Sequence, residues 1–425
     1  MNGRTDQAGA VVVGGHVNAL NVVRSLAPMG VRIAVVTTER FDIAHRSRWC
    51  DERVDLTGEP RFEEALRELL ARNRERWSGR VVFPTTDSAM LALANLRDEL
   101  PAYRMVAPPP GVARLLLEKD KTDENARAVG IDTPRVYGPA EPEICAREDL
   151  RYPVIVKPVM SHQFAGRFGC KLFLARGPAE LAEAVRRVGE AGLRARVLDY
   201  VPGGDDACYN YCLYIAGNGE VVAGLGMHKL RKSPPFFGVC RVAEAWDDDS
   251  LRGPTVALLR RIGYRGMANA EYKRDPRDGR MRLMEVNGRP FLMAGLARLA
   301  GVDMMRLAWA ENTGAPFPGA RYNGWRGHWI HLHADLLYAL LFRRTEALSF
   351  GEYARPYLRS PAFAVLSLRD PLPFLMQWLR TLVEGLAMTF SRTRRKTLLD
   401  SVQPPHPMRQ VGNEPAPPRS YPVRD

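Results

Sequence analysis

The chain has 425 residues, of which 46% are hydrophobic and 26% charged; this composition excludes a disordered or fibrous protein and supports two or three separate cores. A formal net charge of +13 favours anionic partners, whether a nucleotide, a phosphorylated substrate, nucleic acid or a membrane face, without choosing among them. The six cysteines (Cys50, Cys145, Cys170, Cys208, Cys212 and Cys240) lack the paired spacing of a zinc site or disulfide framework, and the polar residues 1–10 lack a secretory signal's apolar run, so a reducing cytoplasm is the expected setting.

In chain order, an apolar strand at 10–13, the turn Gly14-Gly15, an amphipathic run to Met29 and a second apolar strand at 32–37 predict a βαβ start with a parallel sheet. A further strand at 81–84 leads through Thr85-Thr86-Asp87 into a helix, and Pro108-Pro109-Pro110 closes this region. Asp87 then sits where open α/β sheets bind ligands, or caps the following helix. A helix from Leu115 carries Lys119, Asp120 and Lys121 and ends at Gly130. Next come a buried-type strand at 154–156, a glycine-bearing loop at 161–169, a helix at 178–189, and strands at 195–201, 209–215 and 220–227. Residues 267–273 and 281–287 predict a hairpin about Asp275-Pro276-Arg277-Asp278-Gly279. Beyond about residue 321 the chain becomes helical and arginine-rich, with a Pro-rich tail expected to be disordered.

Candidate chemistry concentrates around that hairpin. Glu285 and Asn287 are two apart on one strand, so both side chains leave the same face and offer the hard oxygen ligands that magnesium prefers. Folding the hairpin brings Glu271 opposite Glu285, and two opposed glutamates repel unless a cation lies between them. Lys157 ends an apolar strand before Pro158; with Lys121 upstream and a glycine-bearing loop ending at Lys171, it reads as part of a phosphate site. Lys229 and Arg231, two apart on one strand, read as cations converging on a transferred phosphate, and Lys232 as surface charge.

The ordered set Lys121, Lys157 in Val-Lys-Pro, the linker Leu198-Asp199-Tyr200-Val201-Pro202-Gly203, Glu271, and Glu285-x-Asn287-x-Arg289 resembles the ATP-grasp superfamily over roughly residues 1–316. Its opening, with residues 11–18 and Ser47-Arg48-Trp49-Cys50, is similar to the pre-ATP-grasp domain of carboxylate–amine ligases of the D-aspartate-ligase type. The resemblance implies an α/β and α+β protein: a pre-ATP-grasp Rossmann-like domain at 1–114, a small lobe at 115–200, a large lobe at 201–320, a helical extension at 321–400 and the tail at 401–425. It implies that Lys121, Lys157 and Lys171 contact nucleotide phosphates, that Asp199, Tyr200 and Val201 line the adenine, and that Asp205 holds the ribose. Glu271, Glu285 and Asn287 would bind magnesium, with manganese as the alternative ion. Arg289, Arg231 and Lys229 would act at the transferred phosphate. The expected reaction activates a carboxylate with ATP as an acyl phosphate and joins it to an amine. The alternative is a nucleotide-binding regulatory or scaffold protein that keeps the fold without turnover.

Other features point less far. The glycine fingerprint of a dinucleotide fold is absent after the first strand, so NAD is not expected. No nucleic-acid motif accompanies the basic charge, and no nucleic-acid partner is expected. His328, His331 and His333 lack a carboxylate of matching spacing before Asp335, so they read as structural or as lying at a substrate's edge. Leu375, Trp378, Leu379, Leu382, Val383 and Leu386 form one helical stripe, trailed by Arg392, Arg394, Arg395 and Lys396. Such a segment (374–396) either packs on the core or touches an anionic inner-membrane surface.

Overall fold

A computed structural model describes residues 9–159, 164, 167–168, 170–233, 236–346 and 348–389. Most of the glycine-bearing loop, the end of the 374–396 helix with its basic cluster, and the tail lie outside the described residues.

The N-terminal region is a parallel sheet in the order β3-β2-β1-β4-β5, from β1 (Ala10–Val13), β2 (Ile33–Thr37), β3 (Glu52–Asp55), β4 (Val81–Pro84) and β5 (Arg104–Met105). Its central strands are buried throughout, which is why they read as continuous apolar runs. Helices α1 (Val17–Leu26), α2 (Phe62–Arg72) and α3 (Asp87–Leu96) accompany it. Gly14 and Gly15 are required by close approach: a Cβ on Gly14 would stand 2.2 Å from Thr85 Oγ1, and one on Gly15 2.4 Å from Asp42 Cβ.

Helices α4 (Pro110–Leu117) and α5 (Lys119–Ala128) lead into the small lobe, a four-stranded antiparallel sheet in the order β6-β9-β7-β8. Its strands are β6 (Val136–Pro139), β7 (Val154–Pro158), β8 (Phe173–Ala175) and β9 (Ala195–Asp199), with α6 (Pro178–Glu190) packing Leu181, Val185 and Val188 inward. The large lobe is a seven-stranded sheet in the order β14-β13-β10-β11-β12-β15-β16. It comprises β10 (Cys208–Ile215), β11 (Val221–Ser233), β12 (Val239–Trp246), β13 (Gly266–Arg274), β14 (Met281–Asn287), β15 (His328–Ile330) and β16 (Pro361–Phe363), with α7 (Arg252–Arg261) between β12 and β13. The segment expected to be a helical extension therefore also supplies the last two strands at one side of this sheet, β16 being its edge, besides α10 (Leu332–Glu346), α11 (Phe350–Leu358) and α12 (Leu372–Thr389).

One large core joins the N-terminal sheet to the large lobe. Leu20, Val23 and Leu26 of α1 pack with Leu296 of α8 (Ala294–Leu299), Leu307 of α9 (Met304–Thr313) and the sheet residues Met227, Ala243 and Trp329. Asn21 ties the same helix to the loop after Arg289, donating to the carbonyls of Phe291 (3.2 Å) and Leu292 (3.0 Å). Rigid packing thus fixes the N-terminal domain against one face of the large sheet.

Candidate active site

The hairpin of β13 and β14 folds about Asp275, which is fully buried and paired with Arg277 (2.6 Å) and Arg282 (3.5 Å). The ladder sets Asn269 against Asn287 and Glu271 against Glu285, then skips Met284 in a bulge so that Tyr272 meets Leu283. Asn269, Glu271, Glu285 and Asn287 therefore share one face. Each opposed carboxylate has its own lysine: Glu271 pairs with Lys229 at 2.6 Å, and Glu285 with Lys119 at 3.7 Å. Burial alone raises the Glu271 pKa, but Lys229, Lys232 and Lys171 outweigh it and hold the group at about 2.

Lys229 and Arg231 do not stay together. β11 shifts register against β12 between these two residues, so Leu230 is inserted and the alternation of faces is broken. Lys229 keeps the Glu271 face. Arg231 turns to Asp335 (3.0 Å) and to the carbonyls of Glu352 (2.8 Å) and Tyr353 (2.9 Å), where Arg241 shares Asp335 at 3.0 Å. Its expected role at the phosphate is thereby corrected: Arg231 is a buried tie between the sheet and the C-terminal segment. Lys232, read from sequence as surface charge, is 5% exposed and lies near Glu271, its ammonium donating to the carbonyl of Phe236 (2.7 Å).

The small lobe faces this cluster. Lys157 on β7 is within 3.5 Å of the Met284 carbonyl, and burial, then the neighbouring Lys119, lowers its pKa to about 8 against the pull of Glu285. Lys171 stands on the rim; desolvation of its ammonium lowers its pKa, opposed by Glu285 and Glu271. Lys121 does not take part. Its ammonium pairs with Glu124 at 3.0 Å on the exposed side of α5, and two residues of helix separate directions by about 200°. Lys119 occupies the place expected of Lys121. Arg196 on β9, paired with Asp123 at 2.9 Å and also with Asp120, holds α5 against the small sheet.

The linker residues are tied in different ways. Asp199 accepts from Arg277 at 2.6 Å, bracing the linker against the hairpin turn. Tyr200 is 5% exposed with the Lys273 ammonium 5.3 Å from its ring, and the Val201 carbonyl accepts from that ammonium at 2.8 Å. Asp205 does not stand open to a ribose: its two oxygens accept the backbone N–H groups of Phe236 and Lys232, both at 2.7 Å. It is a loop clamp at the end of β11.

Arg289 reaches Asp87 (2.5 Å) and donates to Asn287 Oδ1 (3.1 Å). Thr86 caps α3 by accepting from Ala89 N–H (3.1 Å), leaving the Asp87 carboxylate to Arg289. The N-terminal sheet thus touches the site through the end of β4.

Cations outnumber anions across this cleft. Lys119, Lys157, Lys171, Lys229 and Lys232 face Glu271 and Glu285, and desolvation lowers Lys157 to about 8. A polyphosphate would balance this positive charge, and the Glu–Glu–Asn oxygens suit a hard divalent ion. The donor set fits magnesium-ATP.

A four-stranded antiparallel sheet facing a larger, mostly antiparallel one, beside a parallel N-terminal sheet, is the ATP-grasp fold. Two curated relatives are ligases. A D-aspartate ligase from Enterococcus faecium (strain Aus0004) is 27% identical over 183 residues, 41% of this chain and 43% of that protein. A D-alanine–D-alanine ligase from Fusobacterium nucleatum subsp. nucleatum is 38% identical over 76 residues, 18% of this chain and 23% of that protein. The matches thus span less than half the length of these curated relatives. Among solved structures, biotin carboxylase from Campylobacter jejuni aligns with a TM-score of 0.59 at 15% identity, covering 76% of this chain and 74% of that one. An L-amino acid ligase from Bacillus licheniformis aligns at 0.56 and 18% identity, covering 72% and 75%. N5-carboxyaminoimidazole synthetase from Staphylococcus aureus, solved with ADP, aligns at 0.58 and 15% identity, covering 73% and 79%. At these identities the structural likeness establishes the fold. No family model matches the chain.

Proposed function

We propose that this protein is an ATP- and magnesium-dependent ligase that activates a carboxylate as an acyl phosphate and joins it to an amine, releasing ADP and phosphate. The observation that carries the reading is the opposed pair Glu271 and Glu285, each bound to its own lysine, in a cleft where cations exceed anions. Lys119, Lys157 and Lys171 would hold phosphates from the small-lobe side, and Tyr200 and Val201 would line the base. Glu271, Glu285 and Asn287 would hold the metal. ATP would supply the phosphoryl group that turns one oxygen of the substrate carboxylate into a phosphate leaving group, which the amine displaces at the acyl carbon. Lys229 and Arg289 neutralise charge developing on the transferred group, and the closed lobes keep water from the activated acid. The ligase relatives support small carboxylate and amine substrates, with cell-envelope precursors among the first to test. The test is ADP release on mixing acids and amines pairwise, with mass analysis of the product. Nucleotide binding without ADP release from any pair would leave a nucleotide-binding regulatory protein instead.

We further infer a cytoplasmic enzyme in peripheral contact with an anionic membrane surface. Of the stripe expected along the last helix, the side chains of Leu382, Val383 and Leu386 lie outside the described ones, and the earlier part splits in two. Phe374, Gln377 and Trp378 turn inward, whereas Leu368, Leu372, Leu375 and Leu379, spaced four, three and four apart, are between 46% and 95% exposed. Arg392 to Lys396 follow in sequence. No helix among the described residues is long and apolar enough to cross a membrane, so the contact would be interfacial. Co-sedimentation with phosphatidylglycerol vesicles but not with phosphatidylcholine vesicles is expected; Leu375→Ser/Leu379→Ser lowers the bound fraction several-fold. Equal recovery of wild type and variant in the pellet overturns the contact.

A further inference from the structure

Unpartnered buried polar atoms gather at one place on the active-site face. Lys229, Ala243 and Trp329 lie in one row across β11, β12 and β15, so Trp329 stands two strand spacings, about 10 Å, from Lys229. His331, two residues on, leaves the sheet on the same side. Trp329, His331 and Gln377 of α12 are 1%, 7% and 5% exposed. Gln377 Nε2 lies 2.8 Å from His331 Nε2; as the amide donates, the imidazole accepts there and carries its proton on Nδ1. His331 Nδ1, Trp329 Nε1 and Gln377 Oε1 have no hydrogen-bond partner among the described residues. Burying three such groups together is unfavourable unless something bonds to them.

The surroundings say what that is. His16, at the C-terminal end of β1, faces the cluster from the N-terminal domain, and Arg380 of α12 places Nη1 3.5 Å from His16 Nε2. His333 is engaged with Thr381 Oγ1. Trp329 Nε1 also lies 3.4 Å from the place a Cβ would take on Gly295, and Asn21 Oδ1 3.1 Å from it, so the cluster adjoins the helix that follows the Arg289 loop. Two N–H donors suit a carboxylate, with the Arg380 guanidinium reaching the edge of the cluster at His16, and one amide oxygen suits an N–H group. An amino-acid head group presents both.

We propose that Trp329, His331, Gln377 and Arg380 form a subsite for the amino-acid head group of one substrate, remote from the bond being formed, with the C-terminal helix as its outer wall. The proposal rests on the ligase reading above for its place in a reaction, and on the unpartnered atoms for its existence. The distance from Lys229 requires that the group held here is not the carboxylate being activated.

The experiment uses the full chain with Trp329→Phe, which removes the indole N–H together with part of the ring, and Arg380→Met, which removes the charge and keeps the stem. With the acid–amine pair that supports ADP release, each variant is expected to raise KM for one amino-acid substrate at least about tenfold and leave KM for ATP near wild type; Trp329→Phe also lowers the melting temperature because its site is buried, whereas Arg380→Met, the variant free of that cavity, decides the outcome. Unchanged KM for both co-substrates overturns the subsite and leaves the cluster to ordered water. Should no pair support ADP release, the ligase reading alone fails. The subsite is then read by thermal shift with D- and L-amino acids under a non-hydrolysable ATP analogue. A shift in wild type that Trp329→Phe abolishes supports it, and no shift in either protein overturns it.

Discussion

Glu271 and Glu285 stand directly opposite each other on β13 and β14, and the lysines that neutralise them come from different parts of the chain, Lys229 from the same sheet and Lys119 from the helix before the small lobe. The two carboxylates therefore differ in what they do for the fold. Glu271 shares a buried pair at 2.6 Å, and Glu285 a looser, more exposed one at 3.7 Å.

Replacing Glu285 by Gln should reduce ATP turnover by about a hundredfold or more, as loss of a metal-positioning charge does, and leave the urea midpoint nearly unchanged. Glu271→Gln should lose activity as well and cost about 3 kcal/mol of stability, because Lys229 is left buried without its partner. Steady-state kinetics over a magnesium series and urea melts separate the two effects. Full turnover by Glu285→Gln would refute the metal assignment.

Lys119 and Lys121 give a sharper discrimination. Lys119→Met should raise KM for ATP about tenfold, an ordinary loss for one charged contact in a polyphosphate site. Lys121→Met, whose ammonium is bound to Glu124 on the outer side of α5, should stay within about twofold of wild type. The reverse ranking would mean that α5 turns in the working enzyme.

Arg231→Met tests a stability role. Both Arg231 and Asp335 are buried, and removing one partner of such a pair typically costs about 3–5 kcal/mol. Because Arg241 still pairs with Asp335, the lower end is expected, with kcat of the folded fraction retained. A stable variant with low kcat would return Arg231 to the phosphate.

The buried histidines predict a pH dependence of stability. Burial, then Arg380, lowers His16 to about 4, and burial, then His16 and His333, lowers His331 to about 3, both from 6.5. Between those values and 6.5 the unfolded chain binds more protons than the folded one, so this contribution is complete above pH 6.5 and declines as pH falls toward 4. Each histidine contributes a slope of about 1.4 kcal/mol per pH unit in that window. Urea melts from pH 7 to pH 5 should show the decline, and His331→Phe should flatten it by one histidine's share.

How much of this was legible in the sequence depends on the range of the cause. The opposition of Glu271 and Glu285 was readable because a short turn at Asp275 fixes the register of its own hairpin. The parallel N-terminal sheet was readable because strands covered on both faces are apolar at every position. Local sequence does not distinguish Lys121 from Lys119: which of the two faces the cleft depends on the rotation of α5, and Arg196, some seventy residues later, holds that rotation through Asp120 and Asp123. Arg231 and Lys232 exchanged their expected roles because a bulge between β11 and β12 broke the alternation, and a bulge is a property of two strands together. Asp205 carries no local sign that it clamps Phe236 and Lys232.

The sequence by itself thus determined the kind of chemistry: a doubly apolar N-terminal sheet, a hairpin whose polar residues share one face, and lysines in an order that resembles the ATP-grasp superfamily. These follow from periodicity and short turns, which act over a few residues. Only the tertiary structure decided which lysine serves which carboxylate, that Arg231 ties down the C-terminal segment, and that Trp329, His331 and Gln377 bring unpartnered polar atoms to the same face as Lys229. Those outcomes depend on helix rotation, strand bulges and packing between segments hundreds of residues apart, where no local pattern records the partner.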